Sequence, residues 1–212
     1  MDTNYSKQSF GGDFEITESN FNSRNRKIPN YFKNPFVYYF DTGRSAIKTS
    51  LENIVIKSSI RKAWVPYFIC ETVIRPFMEM GFDIEYYGMG GNLDKPAGLP
   101  LKMSNCIFFF THYFGKTNTP ILNYIKESSD SSVIVIEDCV QCCLSKNTGN
   151  TGDYSIHSLR KFLPIPDGAI LESREELEVS SSVPNEEFIS NKLISKLLRG
   201  FDIDNDEDYL LY

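Results

Sequence analysis

A carboxylate and an amine stand at the ends of two apolar runs in this chain. Val-Ile-Val-Ile at 133–136 leads into Glu137 and Asp138, and further on Ser158-Leu-Arg-Lys161 precedes Pro166-Asp-Gly168. Both runs read as buried strands, so Asp138 and Lys161 are delivered to strand ends. In an open α/β sheet the carboxyl ends of the strands form the crevice where ligands bind, and groups placed there can share chemistry. A lysine forms a Schiff base with a carbonyl, and a carboxylate beside a pyridine nitrogen keeps the ring protonated and electron-accepting. The pair suits a pyridine cofactor carrying an aldehyde.

Each residue also has a plainer reading. An acid at a strand exit caps the segment that follows, and an isolated lysine is usually a surface residue. Thr42-Gly-Arg-Ser-Ala46 lies where a strand turns into a helix, so its backbone N–H groups and the Ser45 hydroxyl could hold a phosphate, or Ser45 could act as a local cap. Cys139, Cys142 and Cys143 supply one Cys-x-x-Cys without a second knuckle, and His112 and His157 stand elsewhere. No metal site is expected; the thiols should pack a helix, and the histidines should be satisfied polar residues near the sheet edge. Gly88-Met-Gly-Gly91 lacks the spacing of a nicotinamide fingerprint.

The elements that would position these groups follow from periodicity. Phe36 to Phe40 predicts a strand, and the stretch from Arg44 to Lys57 predicts a helix, because Ala46, Ile47, Leu51, Ile54 and Val55 recur at helical spacing. Lys62 to Val65 predicts a strand, Cys70 to Met80 a helix stopped at Gly81, and Phe82 to Tyr87 a strand. After a Gly/Pro-rich loop at 88–100 come a strand at Cys106 to Phe110, a helix at Pro120 to Glu127 and a strand at Val133 to Ile136. Strands at Tyr154 to Ser158 and Ala169 to Glu172 follow with no long helix between them. Strands alternating with helices predict an α/β fold, with a mainly parallel sheet covered by helices on both faces.

The reading divides the chain into an irregular arm at 1–33, a large α/β domain at 34–173, and a segment at 174–212. That last segment begins as an acidic linker. It continues as an amphipathic helix carrying Phe188, Ile189, Leu193, Ile194, Leu197 and Leu198, and is expected to be the start of a C-terminal part that is cut short.

Composition narrows the partners. At 212 residues with 41% hydrophobic and 14% aromatic content, the chain should fold around one sizeable core. A formal charge of −6 without a long basic cluster excludes the electrostatic footprint of a nucleic-acid binder. No apolar run is long enough to span a membrane. The first thirty residues have no signal-peptide pattern, and five cysteines are an odd number, so a reduced cytoplasmic protein is expected.

Gly43-Arg-Ser-Ala46, Pro66-Tyr-Phe-Ile-Cys70, Thr111-His-Tyr-Phe-Gly115, Glu137-Asp-Cys-Val-Gln141 and Ser158-Leu-Arg-Lys161 before Asp167-Gly168 together resemble the DegT/DnrJ/StrS family of sugar aminotransferases. The resemblance covers roughly Asp41 to Glu172. It implies the large domain of fold-type I pyridoxal-phosphate enzymes, without the smaller C-terminal domain. It further implies that Lys161 is the Schiff-base lysine and Asp138 the partner of the pyridine nitrogen. Gln141 would lie near the ring hydroxyl, and Gly43, Arg44, Ser45 and Ser158 near the phosphate. Cys70 stands where the family often has a stacking aromatic, with Phe68 or His112 as substitutes. Matching Ser155 to the family's usual serine instead puts Arg160 in the lysine's place, and both registers stay open at this point. The implied activity is transamination of a nucleotide-linked keto-sugar by an amino acid donor, for surface polysaccharide synthesis, in a homodimer. The alternative is an inactive or truncated member that serves as a binding or assembly subunit.

Overall fold

The computed structural model describes residues 14–18, 32–143, 145–178 and 184–200. Its strands are β1 (Phe36–Phe40), β2 (Lys62–Pro66), β3 (Asp83–Met89), β4 (Pro96–Ala97), β5 (Ile107–Thr111), β6 (Ile134–Asp138), β7 (Tyr154–Ser158) and β8 (Ala169–Ser173). The helices are α1 (Gly43–Lys57), α2 (Glu71–Glu79), α3 (Thr119–Ser128) and α4 (Glu186–Gly200). The strands form one sheet in the order β1-β8-β7-β6-β5-β2-β3-β4. The run from β3 through β2, β5 and β6 to β7 is parallel. This is the mainly parallel α/β sheet that the alternation predicts.

The antiparallel members have local causes. Residues 159–168 are too few for a crossover helix, so β8 returns beside β7 in the opposite sense. β1 then closes that edge against β8, with Phe40 opposite Ala169. β4 pairs antiparallel with β3 through Gly88 and Ala97 inside the stretch read as a loop. A two-residue strand containing Pro96 carries no periodicity from which to read it.

Phe108, Phe109 and Phe110 show how the sheet divides its core. Phe109 joins Ile136, Ile156 and Leu171 beneath Ile47, Leu51 and Ile54 of α1 and Phe77 of α2. Phe108 and Phe110 point the other way, against Ile121 and Ile125 of α3 and Tyr87. All three rings are fully buried, and each contributes roughly 1.5–3 kcal/mol to folding. The expected helix cover on both faces is thus observed.

α1 begins with Thr42 as its cap; the Thr42 hydroxyl accepts the Ser45 N–H at 3.2 Å, so the cap is not Ser45. Asn118 caps α3 in the same way, with Pro120 in the first turn. Cys139, Cys142 and Cys143 are buried, but they pack a turn and not a helix, since the chain folds back through hydrogen bonds such as Cys142 N–H to Cys139 O.

Gly152 lies where this connection passes under β6. A Cβ added there would overlap the Tyr154 carbonyl oxygen and stand 2.8 Å from Glu137 Cβ. Gly152→Ala is therefore expected to destabilise the protein by about 2–3 kcal/mol, with no change in the slope of its urea transition. Equilibrium unfolding checks this.

Most of the arm at 1–33 and the end at 201–212 lie outside the described residues. Within the arm, Ile16 is buried against α4: its N–H donates to the Lys196 carbonyl at 3.1 Å, and Lys196 Nζ donates to the Phe14 carbonyl. No helix among the described residues is long and apolar enough to cross a membrane.

Candidate functional site

A cleft of about 850 Å³ opens at the carboxyl ends of β5, β6 and β7. Gly43, Arg44, Ser45, Asp138, Gln141, Ser158 and Lys161, all singled out in the sequence, line it together. The parallel register brings the first of these strand ends side by side: Thr111 pairs with Asp138, and Asp138 with Ile156. Gly168 N–H donates to the Asp41 carbonyl at 2.9 Å and so holds the segment after Lys161 against the turn that starts α1.

Asp138 is buried at the floor. One carboxylate oxygen accepts from Val140 N–H at 2.9 Å and the other from the Thr111 hydroxyl at 3.1 Å. The first contact is the local capping expected of an acid at this place; the second fixes the group in the cleft. Burial raises the Asp138 pKa above the ordinary carboxylate value, and the two hydrogen bonds and the nearby Lys161 charge oppose this without cancelling it. The acid is thus held where its ionised form gains from a cationic partner.

Lys161 and Arg160 follow Ser158 on a short 3-10 turn, and both reach the cleft. Among the described residues Lys161 makes no hydrogen bond or ion pair, and its charge acts on both Asp138 and the exposed Cys70 thiol. The Cys70 pKa is lowered, chiefly by hydrogen bonds with Thr72. The Arg160 guanidinium lies 5.7 Å from the Phe188 ring of α4, and its buried Nε has no partner among the described residues.

Ser155 bears on the register of these residues. It pairs with Glu137 and shares its face, the one opposite Asp138, and it does not line the cleft. The serine at the cleft is Ser158, whereas matching Ser155 to a ligand-binding serine, which would set Arg160 in the lysine's place, has no support in this geometry.

His112 is also on the far face. It is fully buried, with Nε2 2.8 Å from Glu137 and Nδ1 accepting from Asn118 N–H at 3.0 Å, so it cannot lie over a ring in the cleft. His157 is bound to Glu172 at 2.7 Å. His112 is paired at both ring nitrogens, whereas His157 is paired at Nε2 alone and its buried Nδ1 has no partner among the described residues; both stand on interior strands or their ends and not at a sheet edge. His112, Glu137 and Cys139 bring ligand atoms within 4.8 Å of one another. Both His112 ring nitrogens are paired, the Cys139 thiol donates to Glu137, and Glu137 also accepts from Gly149, Thr151 and Gly152 N–H groups.

The sequence assigns no role to several residues that line the cleft. Phe114 is 78% exposed at φ 54°, ψ 30°, a left-handed backbone that a bulky residue rarely adopts. Gln141 holds it there by accepting the Phe114 N–H at 2.7 Å. Strained, exposed aromatics of this kind cluster at ligand clamps. Tyr113 donates to the Phe68 carbonyl at 2.6 Å and ties the facing loop to the same turn. Phe188 and Lys192 reach the cleft from α4, and Asn185 from just before it. The only local sequence signal for α4 was its amphipathic spacing, which does not say where the helix docks.

No protein-family model matches the chain, and no curated protein sequence matches it. Solved structures share its fold. The sugar aminotransferase CalS13 from Micromonospora echinospora superposes at a TM-score of 0.52 and 14% identity, over 77% of this chain and 46% of that one. AtS13 from Actinomadura melliaura does so at 0.53 and 17%, over 82% and 48%. The GDP-4-keto-6-deoxy-D-mannose-3-dehydratase of E. coli, with bound hydrated PLP, gives 0.55 and 14%, over 68% and 41%. The chain spans less than half the length of these structures.

Proposed function

We propose that this chain binds pyridoxal phosphate in the cleft and serves the transamination of a nucleotide-linked keto-sugar by an amino acid donor, in surface polysaccharide synthesis and as a homodimer. One observation carries the reading: a buried carboxylate, Asp138, and an unpaired amine, Lys161, meet in one cleft with the start of α1. The sugar aminotransferase and the PLP-bound sugar dehydratase of the same fold support the cofactor and the sugar class.

The residues fit such a group. Asp138 is an acid whose burial calls for a cation, as the raised pKa records, and a protonated pyridine supplies one. Gly43 and Arg44 N–H groups, at the first turn of α1, have no intrahelical acceptor and can donate to a phosphate. Pyridoxal phosphate, when bound, supplies an electron-accepting ring and a carbon that exchanges one amine for another.

The chain's own residues divide the remaining work. Thr111 and Val140 orient the Asp138 carboxylate so that it holds a positive charge in place. Lys161 Nζ, without a partner among the described residues, would hold the cofactor's aldehyde group and move a proton at the substrate carbon. Gln141 positions Phe114, which would cover the ring and exclude water.

The test is chemical. The purified chain is mixed with pyridoxal phosphate, followed in the visible range and reduced with borohydride, and the modified lysine is mapped. A visible band with label on Lys161, lost in Lys161→Ala, is expected. Label spread over surface lysines, or no band, would overturn the cofactor reading. The second reading, a non-catalytic binding subunit of the same fold, draws its support from the internal hydrogen bonding at the start of α1 and predicts that negative result.

A further inference from the structure

The start of α1 already holds an anion of its own. Asp41 lines the cleft, and one of its carboxylate oxygens accepts from Thr42 N–H at 2.7 Å and from the Ser45 hydroxyl at 2.6 Å. The two hydroxyls of this turn lie 2.9 Å apart. Ser45 spends its hydroxyl proton on Asp41, so the proton between them comes from Thr42 and points at Ser45 Oγ. Thr42 Oγ1 also accepts the Ser45 N–H. Three donors at this helix end, the Thr42 amide and both hydroxyls, are thereby directed into the chain, and the Ser45 amide is capped. Gly43 and Arg44 N–H groups are left for a ligand.

We propose that Asp41 is the residue that sets anion affinity in this cleft, by occupying the α1 terminus with its own carboxylate and withholding the Thr42 and Ser45 hydroxyls from a ligand phosphate. The proposal rests on the cofactor reading for its ligand, but the physics needs only a phosphate. A dianion at Gly43 and Arg44 would share the same helix end with Asp41, and like charges at such distances repel even in a partly solvated site. A helix terminus satisfied by a side-chain acid gains little from a second anion.

Two changes separate charge from hydrogen bonding. Asp41→Asn removes the charge and keeps an acceptor for Thr42 and Ser45; Asp41→Ala removes both and frees the hydroxyl protons. Inorganic phosphate binding to the full chain is measured by calorimetry for the native protein, both variants, and Glu85→Gln, a control at the exposed Lys62 ion pair. Phosphate affinity is expected to rise roughly tenfold in Asp41→Asn and further in Asp41→Ala, with no change in the control. In parallel, the native chain should prefer pyridoxal phosphate over pyridoxal by a small factor, and the variants by roughly ten times that factor.

Equal phosphate affinity in native and variant proteins would overturn the proposal, as would binding that weakens on substitution or no phosphate binding in any of them. Borohydride mapping reports separately on the cofactor reading. Label on Lys161 with unchanged phosphate affinities sinks only the Asp41 inference; absent label with raised phosphate affinities sinks only the cofactor reading.

Discussion

Glu137→Ala is expected to cost the fold about 3–5 kcal/mol, enough to leave a protein of ordinary stability largely unfolded near 37 °C. Glu137 is 1% exposed, and its two oxygens accept from His112 Nε2 at 2.8 Å and from the N–H groups of Gly149, Thr151 and Gly152 at 2.6, 2.8 and 2.9 Å. Alanine would leave the His112, Gly149, Thr151 and Gly152 donors and the Cys139 thiol without this acceptor. His112 cannot turn elsewhere, because its Nδ1 is committed to Asn118 N–H. Glutamine is the sharper probe: it keeps the volume but points an NH₂ group at donors, so most of the loss should remain.

The pH dependence distinguishes this mechanism from simple loss of packing. Burial opposes ionisation of Glu137, but the hydrogen bonds from His112, Gly152 and Gly149 outweigh it and hold the pKa at about 2, below the ordinary 4.5. A carboxyl depressed in the folded state contributes stability that is present above 4.5 and lost as pH falls towards 2. The gap between native protein and Glu137→Gln should therefore be widest at pH 7 and narrow below pH 4.5. Urea titrations at pH 7 and pH 3 measure it, and an equal gap at both would show that ionisation is not the source.

Glu137 and Asp138 also show how much the chain discloses before folding. The apolar run ahead of them reads as a strand, and a period of two places neighbours on opposite faces. That is enough to see that the two acids differ. What separates a loop-organising acid from a cleft acid is the register across β5, β6 and β7, which depends on pairings between residues far apart in sequence. Phe114 was unreadable for a related reason: its left-handed backbone is imposed by Gln141 from another connection. Asp41 carries no distinguishing signal in the sequence, because its effect lies in the direction of three hydrogen bonds. The docking of α4 was hidden as well, since an apolar stripe specifies that a helix is covered and leaves open by what.

The same neighbouring acid gives the other large effect, and here stability and chemistry should move in opposite directions. If the chain performs the proposed transamination, Asp138→Asn is expected to lower turnover by about a thousandfold, as loss of a preorganised charge opposite a reacting group commonly does. The amide oxygen can still accept from Val140 N–H and the amide NH₂ can donate to the Thr111 hydroxyl oxygen, so position is kept while the charge is lost. In the ligand-free protein the change should be stabilising. Burial raises the Asp138 pKa, which means that the ionised carboxylate is worse off folded than unfolded. A carboxyl raised in this way contributes stability below its unfolded value of 3.8 that is lost as pH rises through the folded one. Native ligand-free protein should therefore lose stability over that interval, while Asp138→Asn should not. Thermal melts across pH without cofactor, repeated with saturating pyridoxal phosphate, test both halves. The ligand should raise the melting temperature of the native chain more than that of the variant, because only the native carboxylate gains a cationic partner. A variant that is less stable than native protein at pH 7, or that gains equally from the ligand, would show that Asp138 is a structural cap and not the acid of a site that gives up stability for function.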